Sequence, residues 1–136
     1  MSTESPIPRS LDRDFVVMSP DKTAHVESAD DGLYQRLDAV YGNFEGHELL
    51  ALHHFDSDWT TWEIHPHGDE VVILLSGNIT FVLRLPDGES SVGLSEPGNY
   101  VIVPHNVWHT ARTDTSCSVL FLTPGQGTQN TDSPPA

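Results

Sequence analysis

From residue 47 onward the chain runs in short apolar or alternating segments, with turn residues interposed every eight to twelve positions. Alternation lays apolar side chains along one face of extended backbone, and many short strands at this spacing predict a sandwich or barrel. The pattern places strands at 47–55, 59–65, 70–75, 78–85, 90–94, 100–103, 107–113 and 118–122. The intervening turns, 56–58, 66–69, 76–78, 86–88, 96–98 and 114–116, are rich in Gly, Asn, Asp and Pro, which suit tight turns. Residues 71–75 are apolar in succession, so that strand should be covered on both faces, by the barrel interior and by a second subunit. Residues 15–18 predict a short edge strand, with 22–26 pairing back as a hairpin. The one helical pattern is Leu33, Leu37, Val40 and Tyr41, capped by Asp30 or Ser28 and stopped by Gly42. Residues 1–12 and 125–136 are polar and rich in proline or glycine, which predicts a flexible N-terminus and a disordered tail around one barrel domain at 13–124.

Composition narrows the partners. A chain of 136 residues supports one core. It has no continuous apolar stretch of about eighteen residues and no basic start ahead of an apolar segment, so the expectation is a cytoplasmic protein without membrane contact. Six basic residues against twenty acidic ones leave a net charge of −14, which would repel a phosphate backbone and argues against nucleic acid as a partner. The single cysteine, Cys117, excludes an internal disulfide or a cysteine zinc cluster, and at the head of an apolar run it reads as a buried, inert thiol.

The histidines change the picture, because seven of the eight lie between His47 and His109, where strands are predicted. Glu63 and His65 stand two apart and share a face of one strand, Glu70 opens the next after a Pro-His-Gly-Asp turn, and His109 comes from a third. Imidazoles and carboxylates on separate strands are how a barrel assembles a metal site. His53 and His54 are neighbours, so only one can face inward. His105 reads as a solvated rim residue. Trp59, Trp62 and Trp108 read as core, with one of them a candidate for a pocket wall. Arg84 and Arg112 are the cations of the barrel region, available to clamp a carboxylate substrate or, more plainly, to pair with one of the twenty acids.

With these residues in place the chain resembles the cupins, small jelly-roll barrels whose two motifs flank a metal. In the first motif the second histidine is His65, the glutamate Glu70 and the closing glycine Gly77; in the second, Gly98, Pro104 and His109 match position for position. The departures are Glu63 in place of the first histidine, Ser57 for the opening glycine, Asn106 for a glycine, and Thr113 for the asparagine that often follows. A shifted register that pairs His65 with His67 leaves Glu70 too close and puts His67 in a turn. The resemblance implies an all-β, cupin-type jelly-roll β-barrel with one short N-terminal helix. It also implies a divalent metal held by Glu63, His65, Glu70 and His109, with iron or manganese ahead of zinc. Glu63 is then either a ligand or a general base beside the substrate; in a barrel that has lost its metal it would hydrogen-bond inside. The implied activity is that of a metal-dependent small-molecule enzyme of dioxygenase, isomerase or lyase type, acting as a homodimer. The alternative is a non-catalytic barrel that carries a small ligand.

Overall fold

A computed structural model describes residues 6–135. Its strands are β1 (Asp14–Met18), β2 (Ala24–Ser28), β3 (Glu48–Phe55), β4 (Trp62–Ile64), β5 (Glu70–Ser76), β6 (Ile79–Leu85), β7 (Gly88–Leu94), β8 (Tyr100–Val103), β9 (His109–Arg112), β10 (Cys117–Thr123) and β11 (Gln129–Thr131). One helix, α1 (Leu33–Val40), follows the first hairpin. The strands form two antiparallel sheets, one in the order β2-β1-β3-β10-β5-β8 and the other β11-β4-β9-β6-β7. This is the two-sheet architecture that the alternation predicts, in the all-β jelly-roll form with one short helix that the resemblance implies.

Between the sheets the inward residues of β5, β6 and β10 interdigitate: Val72, Leu74, Phe81 and Val119 are fully buried. Cys117 belongs to this core as a buried free thiol. A second cluster lies under α1, where Leu33 and Leu37 pack on Phe15, Val17, Phe44 and Leu49. Burying each leucine contributes about 2 kcal/mol, which explains why so short a helix holds. Its entry differs from expectation: Gly32 occupies the cap position without a side-chain bond, while the Asp30 carboxylate accepts the Gly32 amide one turn earlier. Ser28 ends β2 instead. The helix stops before Gly42, whose φ is +57°.

Two boundaries also differ. β1 is not an edge, because it pairs with β2 on one side and β3 on the other; its inward Phe15 and Val17 need cover, and β2 takes the edge. The tail expected to be disordered carries β11, which pairs antiparallel with β4 and sets Asn130 opposite Glu63. Backbone pairing, rather than apolar burial, holds this strand, so hydrophobic patterning does not register it. Of the N-terminal segment expected to be flexible, residues 1–5 lie outside the described residues.

The motif glycine at position 77 has a strict role. Its φ is +78°, and an added Cβ would sit 2.2 Å from the Ser116 carbonyl oxygen, so the turn from β5 to β6 closes directly against the approach to β10. Asn106 takes φ +63° at the position where the second motif has glycine, as asparagine tolerates. On the outer side of the first sheet the apolar residues of β5 and β8 are only partly covered: Leu75, Tyr100 and Ile102 are 43%, 62% and 51% exposed.

Candidate metal centre

The backbone register brings the four motif residues to one end of the barrel. Glu63 on β4 pairs directly with His109 on β9 in the second sheet, and His65 follows β4 immediately. Residues 66–69 then cross to the first sheet, where Glu70 opens β5. Each carboxylate oxygen of Glu70 meets one imidazole: Oε2 lies 3.3 Å from His65 Nε2 and Oε1 lies 3.2 Å from His109 Nε2. The Oε1 atom of Glu63 stands 3.8 Å from His65 Nε2 and 3.9 Å from His109 Nε2. One ligand atom each from Glu63, His65 and His109 falls within a 4.8 Å span. His65, Glu70 and His109 are buried, whereas the Glu63 side chain remains 32% exposed.

The outer hydrogen bonds fix which ring nitrogens face the centre. The Thr128 hydroxyl donates to the Gly125 carbonyl at 2.9 Å, so its oxygen accepts from His65 Nδ1 at 2.8 Å. His109 Nδ1 faces the Val107 carbonyl at 3.3 Å, which can only accept. Both imidazoles therefore carry a proton on Nδ1 and, when neutral, turn an Nε2 lone pair inward. Glu70 Oε2 accepts the Thr123 hydroxyl at 2.6 Å, while His65 Nε2, His109 Nε2 and Glu70 Oε1 are buried with no well-aligned hydrogen bond among the described residues. Buried polar atoms are normally paired. Acceptors converging from four side chains call for positive charge among them, either a cation or protons on the imidazoles.

The electrostatics agree. Burial, then the neighbouring Glu70, pushes the Glu63 carboxyl above its ordinary range. Burial alone would raise Glu70 too, but the two imidazoles outweigh it and hold that carboxyl down to about 2. His109 is raised, because Glu70 overcomes the cost of burying its charge. A site so arranged keeps negative charge on Glu70 and accommodates positive charge beside it. Two imidazoles and two carboxylates are a donor set fitted to a first-row divalent ion.

In front of the cluster opens a cavity of about 690 Å³, with Glu63, His65 and Glu70 at its floor and Phe55, Trp59 and Phe121 along its wall. Trp59 is the tryptophan that lines it, with ring centroids 6.1 Å from His109 and from Phe121. His53 faces inward among Phe15, Phe55 and Phe121 and is kept below its usual pKa by burial, then by His54. His54 points outward to Asp12 and Ser118, both at 2.7 Å. His105 pairs with Asp69 on the rim at 2.9 Å, and His67 is exposed outside the cluster. Arg84 pairs with Glu89 at 3.4 Å and stacks on Trp62, while Arg112 is exposed. Neither arginine lines the cavity.

The same barrel occurs in other solved structures. Oxalate oxidase superposes with a TM-score of 0.51 at 15% identity over 60% of this chain and 44% of its own. A cupin-2 domain protein of Shewanella frigidimarina gives 0.49 at 21% identity over 57% of this chain and 70% of that one. The chain has the cupin fold. A protein from Neisseria meningitidis is 25% identical, with a TM-score of 0.48, over 56% of this chain and 72% of its own. No family model and no curated protein matches the sequence.

In this cupin barrel, sequence reasoning missed Thr123 and Thr128, the hydroxyls that orient Glu70 and His65. The available signal was the Gly125-Gln126-Gly127 segment: Gly127 has φ +70°, and a Cβ there would approach Pro66 to 3.3 Å, which marks a backbone drawn tightly against the turn beside His65. Thr128→Val should remove the acceptor of the His65 Nδ1 proton. Nitrogen NMR of the imidazoles should then show His65 losing its fixed Nδ1–H tautomer, with stability in urea falling by about 1 kcal/mol. An unchanged His65 spectrum would break the link between tail and site.

Proposed function

We propose that this cupin is a metal-dependent enzyme acting on a small molecule, with a divalent iron or manganese ion held by Glu63, His65, Glu70 and His109, zinc being the third choice. The observation that carries this reading is the convergence of two buried Nε2 atoms and two carboxylates, without aligned donors, at the floor of an open cavity. Dioxygenase, isomerase and lyase chemistry all suit such a donor set, since a bound divalent ion supplies a Lewis acid and, for iron, redox capacity. The chain's own residues do the rest. Glu63 is the one member of the four left partly open to the cavity, so where His65, Glu70 and His109 hold the ion alone its carboxylate is free to take and return a proton. Thr128 and Thr123 hold His65 and Glu70 in register, and Phe55, Trp59 and Phe121 give the cavity an apolar wall.

The partly exposed apolar residues on β5 and β8 support a homodimer through the outer side of the first sheet. A reducing, cytoplasmic setting suits a chain whose single thiol is buried and unpaired. No helix among the described residues is long and apolar enough to cross a membrane.

Protein purified without tag or chelator should carry about one equivalent of iron, manganese or zinc by elemental analysis, and the His65→Ala/His109→Ala variant should carry none. Metal absent from both after reconstitution would leave a ligand-carrying barrel. By sedimentation the chain should run as a dimer and Tyr100→Lys/Ile102→Glu as a monomer; a wild-type monomer would exclude the outer-face contact.

A further inference from the structure

The cavity that receives a small molecule in the reading above also has a charge character of its own. Among the described residues no lysine or arginine lines it. Its carboxylates are Glu63 and Glu70 at the floor and Asp38, Asp56 and Asp58 at the mouth, where α1 faces the segment between β3 and β4. Those three aspartates are exposed. Asp58 is engaged by the Thr113 amide at 2.9 Å, while Asp38 and Asp56 line the cavity as exposed residues. The wall between mouth and floor is aromatic, with Phe55 and Trp59 at 5.6 Å and Trp59 and Phe121 at 6.1 Å between centroids.

We propose that the cavity selects a small molecule with a flat, apolar body and a cationic amine, and discriminates against carboxylates of the same shape. The inference rests on the small-molecule reading of the site but not on the identity of the metal. Three features point the same way. Aromatic faces carry negative quadrupole density, which attracts a cation and repels an anion. The aspartates at the mouth add attraction for an ammonium, and the chain's net charge of −14 steers cations inward. The lining also lacks the arginine fork by which carboxylates are commonly held, since Arg84 and Arg112 lie elsewhere. At about 690 Å³ the volume is in the range of sites for drug-sized ligands, so a single ring with a short side chain fits with room for a second reactant. An amine anchored near Asp38 and Asp56 would lay its body along the aromatic wall and present its other end to Glu63.

The test is a calorimetric titration of the full chain with three probes that share one body: phenethylamine, 2-phenylethanol and phenylacetate. Each is run on manganese-reconstituted and on chelator-treated protein, with metal content measured on the same samples. Phenethylamine should bind about tenfold more tightly than phenylacetate in chelator-treated protein, with the alcohol between them, and by a smaller margin once manganese offsets the Glu63 and Glu70 charge at the floor. The Asp38→Asn/Asp56→Asn variant should shrink that ratio about threefold and leave the alcohol unchanged, while Phe55→Ala should weaken all three, the amine most. Phenylacetate binding as tightly as the amine, an unchanged ratio in the asparagine variant, or no binding by any probe at millimolar concentration would overturn the proposal. Protein that takes up no metal yet ranks the probes in this order would remove the metal-enzyme reading and keep the charge selection.

Discussion

A buried carboxylate placed between two imidazoles creates a demand for positive charge that the rest of the barrel is arranged around. Glu70 lies within 3.3 Å of both Nε2 atoms, and the protons that could have faced it are committed outward, to Thr128 from His65 and to Val107 from His109. With hydroxyl and carbonyl groups fixing the rings from behind, neither histidine can relieve the crowding by turning over. The cluster can be neutralised by extra protons or by a cation, and Glu63 adds a second carboxylate that deepens the need.

The register of the sheets delivers this arrangement. Glu63 and His109 meet because β4 and β9 pair at that position, and Glu70 meets them because residues 66–69 pass from one sheet to the other. Asn106, which accepts a left-handed backbone ahead of β9, donates its amide to the His65 carbonyl at 3.0 Å, and Gly77 turns the chain from β5 into β6 where nothing larger fits beneath the Ser116 carbonyl. Packing of Phe81, Val72 and Val119 between the sheets then holds the ends of three strands to within the spacing of a hydrogen bond.

Much of this was legible in the chain because it depends on periodicity and local chemistry. The alternation from residue 47 onward yields the barrel strands, and the motif positions Glu63, His65, Glu70 and His109, taken with the resemblance they carry, point to the cluster. The illegible parts share a physical cause: they depend on backbone pairing or on contacts distant in sequence. β11 is polar throughout, so its pairing with β4 leaves no hydrophobic trace. Thr128 reaches His65 across sixty-three positions, and Thr123 reaches Glu70 across fifty-three. β1 read as an edge because a five-residue strand carries no mark of how many neighbours it has. The cupin fold does not select among chemistries either, since one scaffold hosts many reactions. This barrel departs from the motif in carrying Glu63 at a histidine position, and no arginine or lysine lines its cavity among the described residues.

The most direct test of the account is a crystal structure of manganese-soaked protein with anomalous scattering recorded at the metal edge. The account predicts a single anomalous peak among the four side chains, with His65 Nε2 and His109 Nε2 at roughly 2.0–2.3 Å and carboxylate oxygens completing the set. Density without an ion, in which both imidazoles donate hydrogen bonds to Glu70, would contradict it and show that protons alone satisfy the cluster.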